Sequence, residues 1–124
     1  DSRILQPKQI IWTISNELTN TTIGFVGLVY SHRGSGDGNL GIMIQPKTVA
    51  KGAAKTAMDL FMTYLFSETD TLIIRSQTAV ANKAAYLAAK SVGFKFTPLA
   101  KEHKKTDNVH GIILRETWKL IKNV

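Results

Sequence analysis

The chain has no cysteine, which excludes disulfide scaffolds, thiolate nucleophiles and Cys-ligated metal sites together. Such a composition fits a reducing, cytoplasmic setting. No apolar run approaches the roughly 18–20 residues that span a bilayer. The first residue is Asp1 rather than Met, and no signal-peptide pattern follows it. The sequence therefore reads as a processed product or as part of something longer. There is no internal repeat, heptad pattern or low-complexity tract. Acidic residues are scarce as well: nine Asp and Glu stand against 16 Lys and Arg, a formal net charge of +7.

What remains is an ordinary globular composition. Residues 1–124 are expected to form a single domain, because domains commonly run to about 100–150 residues. With 44% hydrophobic and 20% charged residues, the chain can bury a core and is not of the disordered class. The basic balance points to an anionic partner, either a cofactor carrying phosphates or a nucleic acid. A basic but merely solvated surface explains it equally well. The triplet Asn20-Thr21-Thr22 matches a glycosylation sequon, a pattern that chance often produces.

Ile10, Ile11, Trp12 and Ile14 form a short run rich in β-branched and aromatic residues, which predicts a strand. Polar residues from Asn16 to Thr22 lead into a second strand, Ile23 to Tyr30, so the pair predicts an antiparallel hairpin. Gly24 and Gly27 within it predict a bulge or a close backbone neighbour. A Gly-rich loop over Arg33–Gly38 precedes a third strand at Leu40 to Ile44, and Pro46 ends it. From about Val49 to Phe66, apolar positions recur at helical spacing, with Thr48 as a cap. Leu72 to Ser76 is a strand. Asn82 to Val92 is a helix closed by Gly93. Phe94 to Thr97 and Val109 to Leu114 are two closing strands, joined by a basic loop carrying Lys101, His103, Lys104 and Lys105. The order β-β-β-α-β-α-β-β predicts an α/β domain, a mixed sheet with helices on its faces.

Three stretches carry a family likeness: Leu40–Pro46 (LGIMIQP), Val49–Ala54 (VAKGAA) and Asn82–Phe94 (NKAAYLAAKSVGF). In this order and spacing the chain resembles the GNAT superfamily of N-acetyltransferases, nearest the branch that acetylates ribosomal-protein N-termini and polyamines. The likeness runs from about Ile10 to Lys119, and Leu114–Trp118 is similar to that branch's closing strand. It implies a mostly antiparallel sheet with a splayed parallel pair and helices on both faces. The family's first strand and two helices, which wall the acceptor groove, are missing or reduced here.

The resemblance implies acetyl-CoA as cofactor. The turn from Lys51 through Gly52, Ala53 and Ala54 to Lys55 aligns with the loop that receives the pyrophosphate. Helix N-termini suit that task on general grounds, since their N–H groups are unpaired and carry the positive end of the dipole. Met43, Ile44 and Gln45 match the strand that pairs with the pantetheine amides. Asn82 matches a cofactor-binding asparagine, and it reads equally well as a plain helix cap.

The implied reaction is direct attack of a neutral amine on the thioester, helped by a base and an acid. Where many family members have a basic Glu, this chain has Asn39. Where many have an acidic Tyr, it has Ala89, and Val49 opens the phosphate loop in place of Gln or Arg. Candidate replacements are His110, Glu116 and Tyr86, each with a structural alternative: a surface strand residue, an ion-paired carboxylate and a packing ring. The departures leave two further readings: a non-catalytic domain that retains the fold, and a nucleic-acid-directed acyltransferase using the loop from Lys101 to Lys105. The acceptor is an amine of unspecified identity, and no membrane is involved. The sequence leaves the oligomeric state open, a homodimer included.

Overall fold

The computed structural model describes residues 7–45, 52–98, 102, 104 and 107–123. Pro46, Thr48, Val49, Lys51, Lys101, His103 and Lys105 lie outside the described residues.

β1 (Gln9–Asn16) and β2 (Thr21–Tyr30) form the expected hairpin. Asn16 closes its turn, its Oδ1 accepting from Leu18 N at 2.9 Å and its carbonyl from Asn20 N at 2.8 Å. Asn20 takes a left-handed φ of 53°, a conformation that asparagine tolerates. The register shifts at Ile14/Ser15, leaving Ile23 as a bulge. Next to it, a Cβ on Gly24 would land on the Met43 carbonyl oxygen. The bulge and the close backbone neighbour therefore occur together.

β3 (Asp37–Ile44) pairs antiparallel with β2 and starts three residues earlier than expected. α1 (Ala53–Glu68) leads to β4 (Ile73–Ala79), which lies parallel to β3. α2 (Lys83–Ser91) ends in a Schellman turn, with Phe94 N bonded to Ala89 O and Gly93 N to Lys90 O. Gly93, at φ 115°, supplies the left-handed residue this turn needs. A two-residue β5 (Lys95–Phe96) and β6 (Asn108–Leu114) complete one sheet in the order β1-β2-β3-β4-β6-β5. Among the described residues only the β3–β4 pair is parallel, so the sheet is mixed and mostly antiparallel, as expected.

The chain then turns into α3 (Arg115–Lys122), where a closing strand was expected from Leu114 to Trp118. Charge explains the helix: Glu116 sits in its first turn, Lys119 and Lys122 in its last, and left-handed Asn123 caps it. One buried residue, Trp118, anchors it, with its ring centroid 5.5 Å from that of Phe66.

Alternation divides the sheet into two unlike faces. Val26, Leu28, Ile74 and Ile113 are buried against Met58, Phe61, Met62, Leu65 and Phe66 of α1. Trp12 meets Phe61 and Tyr64 at centroid distances of 5.0 and 4.8 Å, and Tyr86 of α2 meets Phe96 at 4.8 Å. All three described helices lie on this face, where helices on both faces are expected. Ile11, Phe25, Val29, Asn39 and Met43 point the other way and are exposed. We call this the open face.

Candidate functional site

The parallel ladder between β3 and β4 is short. It runs from Asp37/Ile73 to Leu40/Ser76 and stops, although β3 continues to Ile44 and β4 to Ala79. Beyond Leu40, β3 keeps only β2 as a described neighbour, and beyond Ser76, β4 keeps only β6. The two strands splay into a notch. Gln45 N donates to Ile23 O and Ser31 N to Asp37 O, which fixes the parity of the β2–β3 bonds. Odd-numbered β3 residues bond β2, so the N–H and C=O of Ile42 face the notch beyond the end of the ladder.

Two helices start at this same edge of the sheet. α1 begins at Ala53 rather than Val49, because Gly52 sits at φ 87°, outside the helical region. No side chain caps it. The first helical bond is Thr56 N to Gly52 O at 3.0 Å, so the N–H groups of Ala53, Ala54 and Lys55 have no partner among the described residues. A Cβ on Gly52 would meet nothing within 4 Å. The turn borders a cleft of about 530 Å³ lined by Trp12, Asn16, Leu18, Gly52, Ala53 and Thr56. Among the described residues, nothing plugs it.

Asn82 starts α2. Its Oδ1 accepts from Ala85 N at 3.2 Å and its carbonyl from Tyr86 N at 3.1 Å. The capping role therefore exists in the structure, while the side chain stays exposed. Beyond the ladder, Met43 is exposed and Ile44 half-buried at the end of β3, and Gln45, bonded to Ile23, is exposed just after it.

The three acid–base candidates separate. His110 is exposed on the open face, paired with Gln77 one strand from the notch. Tyr86 is half-buried in a groove with Leu87, Phe96, Pro98 and Val109 on the far side of α2. Glu116 lies past Leu114, which pairs with Ile73 at the closed end of β4. Leu114 is six positions along β6 from Asn108 at the notch end, roughly 20 Å at about 3.3 Å per residue. Glu116 is thus at the opposite edge of the sheet from the notch. Ala89, at the position of the family tyrosine, is buried in the core, and Asn39 is exposed on the open face.

A charged clamp that no local motif announces closes the other end of the notch. Arg75 grips Asp37 through two bonds, Nε–Oδ1 at 2.9 Å and Nη2–Oδ2 at 3.0 Å. The hydrogen bond and then the charge of Asp37 hold the Arg75 guanidinium above its ordinary value. Only the cross-strand register brings these residues together, 38 positions apart. A cavity of about 740 Å³ is remote from the notch, between the end of α1 and α3, lined by Phe66, Thr69, Arg115 and Trp118.

The notch and the uncapped helix start follow the pattern of an acyl-CoA fold, and the sequence comparison agrees. An acetyltransferase (GNAT) domain matches residues 2–95. The chain belongs to the GNAT acetyltransferase family. Solved spermidine N-acetyltransferases of Vibrio cholerae share the fold. One in complex with CoA and spermine is 20% identical, with a TM-score of 0.76, covering 94% of this chain and 72% of that one. A dodecameric form in an intermediate state gives 21% and 0.77, with 98% and 72% covered. Mutant forms of the spermidine/spermine enzyme from the same organism give 20% and 0.78, with 99% and 76% covered. No curated protein sequence matches the chain at the same stringency.

As a GNAT member, the protein is an acetyl-CoA-dependent N-acetyltransferase acting on an amine. Its residues fit that cofactor on three structural counts: amides without a described partner at the start of α1, no described atom within 4 Å of a Cβ on Gly52, and Ile42 backbone groups without a described partner in the notch. No described helix is long and apolar enough to cross a membrane.

Proposed function

We propose that residues 1–124 act as one domain that holds acetyl-CoA between the splayed ends of β3 and β4. The observation that carries this is the first turn of α1, where three N–H groups without a described partner face open space. There Ala53, Ala54 and Lys55 receive the pyrophosphate, and Gly52 lets it approach the backbone closely. The Lys55 ammonium adds charge; Lys51, outside the described residues, takes the same role. The pantetheine arm pairs, as an added strand would, with the backbone of Ile44, which shares the outward parity of Ile42, while Met43 and Gln45 on either side of it bond β2 and flank the arm with their side chains. Asn82 contributes its amide N–H₂, since its Oδ1 already caps α2.

Bound acetyl-CoA supplies the acetyl group as an activated thioester. The chain itself positions and polarises. The Ile42 N–H, without a described partner at the mouth of the notch, holds the carbonyl oxygen where negative charge develops. An amine arriving on the open face is aligned against it, and such alignment alone gives large rate gains. An amine of pKa near 10 is mostly protonated at neutral pH, so a base helps. His110 fills that role, beside Gln77 at the notch. Glu116 is too distant to take part, and Tyr86 serves as a packing ring against Phe96.

Calorimetry with acetyl-CoA and a thiol-release assay over an amine panel test this reading. Tight binding with amine-dependent thiol release is expected. Substituting His110→Ala removes the base, so kcat falls at neutral pH while acetyl-CoA affinity stays unchanged. The loss should shrink as pH approaches about 10, where the amine is already neutral without help. Absence of binding, or equal thiol release with and without amine, would overturn the assignment.

A further inference from the structure

We infer that the acceptor is a primary amine carried on an apolar chain, laid across a strip of backbone at Gly27 and Gly41, and that a polycation fits poorly. The inference rests on the notch being the acyl-donor site. Its starting point is a glycine that the fold does not explain. Of the nine glycines, Gly34, Gly36, Gly52 and Gly93 have positive φ. Gly24, Gly27, Gly38 and Gly111 each have a neighbour within 3.3 Å of where a Cβ would stand. Gly41 has neither: its φ is ordinary for a strand and a Cβ would meet nothing within 4 Å. Glycine inside a strand is less stable than alanine, because it loses more backbone freedom on folding. A glycine kept there without an internal reason marks the approach of a ligand or another backbone.

Gly41 sits one residue past the last rung of the β3–β4 ladder, directly opposite Gly27. The strip is bare at Gly41, next to the notch, and at Gly27 the Ile11 side chain closes its other end, with Cγ1 3.3 Å from where a Cβ would stand. Phe25 and Met43 form one wall, Val29 and Asn39 the other, and Ile11 lies beyond Gly27. Phe25, Val29, Ile11 and Met43 are 46, 47, 56 and 62% exposed. These are the walls an apolar chain needs, and their burial contributes affinity in proportion to area.

Charge decides against a polycation. Among the described strand residues of the open face the one carboxylate is Asp37, and Arg75 occupies both its oxygens. The other charged strand residues described on that face, Arg75 and Lys95, are cations. A chain with several ammonium groups would meet no free counter-charge along the strip. A single amine in apolar surroundings is instead pushed towards its neutral form, the form that attacks.

The test compares phenethylamine and an unblocked peptide with apolar first residues against spermidine and spermine. It is run with wild-type protein, Gly41→Val and Gly41→Ala, with circular dichroism to verify folding. Apolar amines should give kcat/KM about tenfold or more above the polyamines, the scale on which a pocket separates apolar from ill-fitting groups. Gly41→Val should raise KM for them by about tenfold, as a misplaced methyl-sized group does, with a smaller rise in Gly41→Ala. Calorimetry should find acetyl-CoA affinity within about twofold of wild type in both. With coenzyme A bound, the backbone amide resonances of Gly27 and Gly41 should shift on adding phenethylamine. A polyamine preference would overturn the acceptor class. Unchanged KM in folded Gly41→Val, or unmoved glycine resonances because another polypeptide covers the strip, would overturn the strip. A wild-type protein that fails to bind acetyl-CoA would instead remove the donor site, and this inference with it.

Discussion

Replacing Gly52 with alanine tests the phosphate cradle most directly. At φ 87°, an alanine meets the left-handed penalty of roughly 1–2 kcal/mol, so the folded state should lose about that much. The new methyl stands in open space, so nothing described in the protein resists it sterically. On the proposed reading, that open space is where the phosphate comes up to the backbone. Each charge-assisted bond from a backbone amide is worth about 1.5–3 kcal/mol. Losing one therefore weakens acetyl-CoA binding by roughly 10- to 100-fold. The control is Gly34→Ala: Gly34 has φ 76° but lies in the loop after β2, at the other edge of the sheet. Both variants should melt lower by similar amounts, and only Gly52→Ala should lose affinity in calorimetry. Equal affinities in the two variants would refute the reasoning, because the helix start would then hold no phosphate.

Phe61 is fully buried and edge-on to Trp12, so Phe61→Ala should cost about 3–5 kcal/mol and lower Tm by roughly 10–20 °C in calorimetric melting. Tyr30 Oη and Thr71 Oγ1 share a buried bond of 2.6 Å, and Thr71 has a second partner in Thr69 at 2.6 Å. Tyr30→Phe leaves Thr71 bonded and should cost about 0.5–1.5 kcal/mol, whereas Thr71→Val strands the phenol and should cost about 1–3 kcal/mol in urea unfolding. Asn82→Asp keeps the oxygen that caps α2, so Tm should hold, while loss of the amide donor should weaken acetyl-CoA binding about tenfold in calorimetry. Unchanged affinity there would reduce Asn82 to a helix cap.

The sequence displays most of the sheet because its signals are local. β-branched runs mark β1 to β4, and Asn82 and Gly93 mark both ends of α2 through the bonds they make. α3 escapes because its apolar content is low: Leu120 and Ile121 are exposed and Trp118 alone is buried. Likeness to a family strand then outweighs the Glu-first, Lys-last charge order that signals a helix. The start of α1 is misplaced for a different reason. Apolar spacing extends through Ala50, but a glycine in the left-handed region interrupts the helical dihedrals at residue 52, and periodicity does not register φ.

Site residues divide along the same line. The turn proposed to receive the phosphates stands out in the sequence because a helix start with small residues is a contiguous pattern. The acid–base candidates depend instead on which edge of the sheet a residue reaches, and that follows from strand direction. β6 runs antiparallel to β4, so His110 lies near the notch while Glu116, six residues later, is carried to the far edge. The Asp37–Arg75 pair and the Gly27–Gly41 strip are still less visible, since each joins residues through a register that no single segment encodes. Acceptor chemistry is written across strands, and donor chemistry along one turn. A sequence can therefore announce its cofactor and keep its substrate silent.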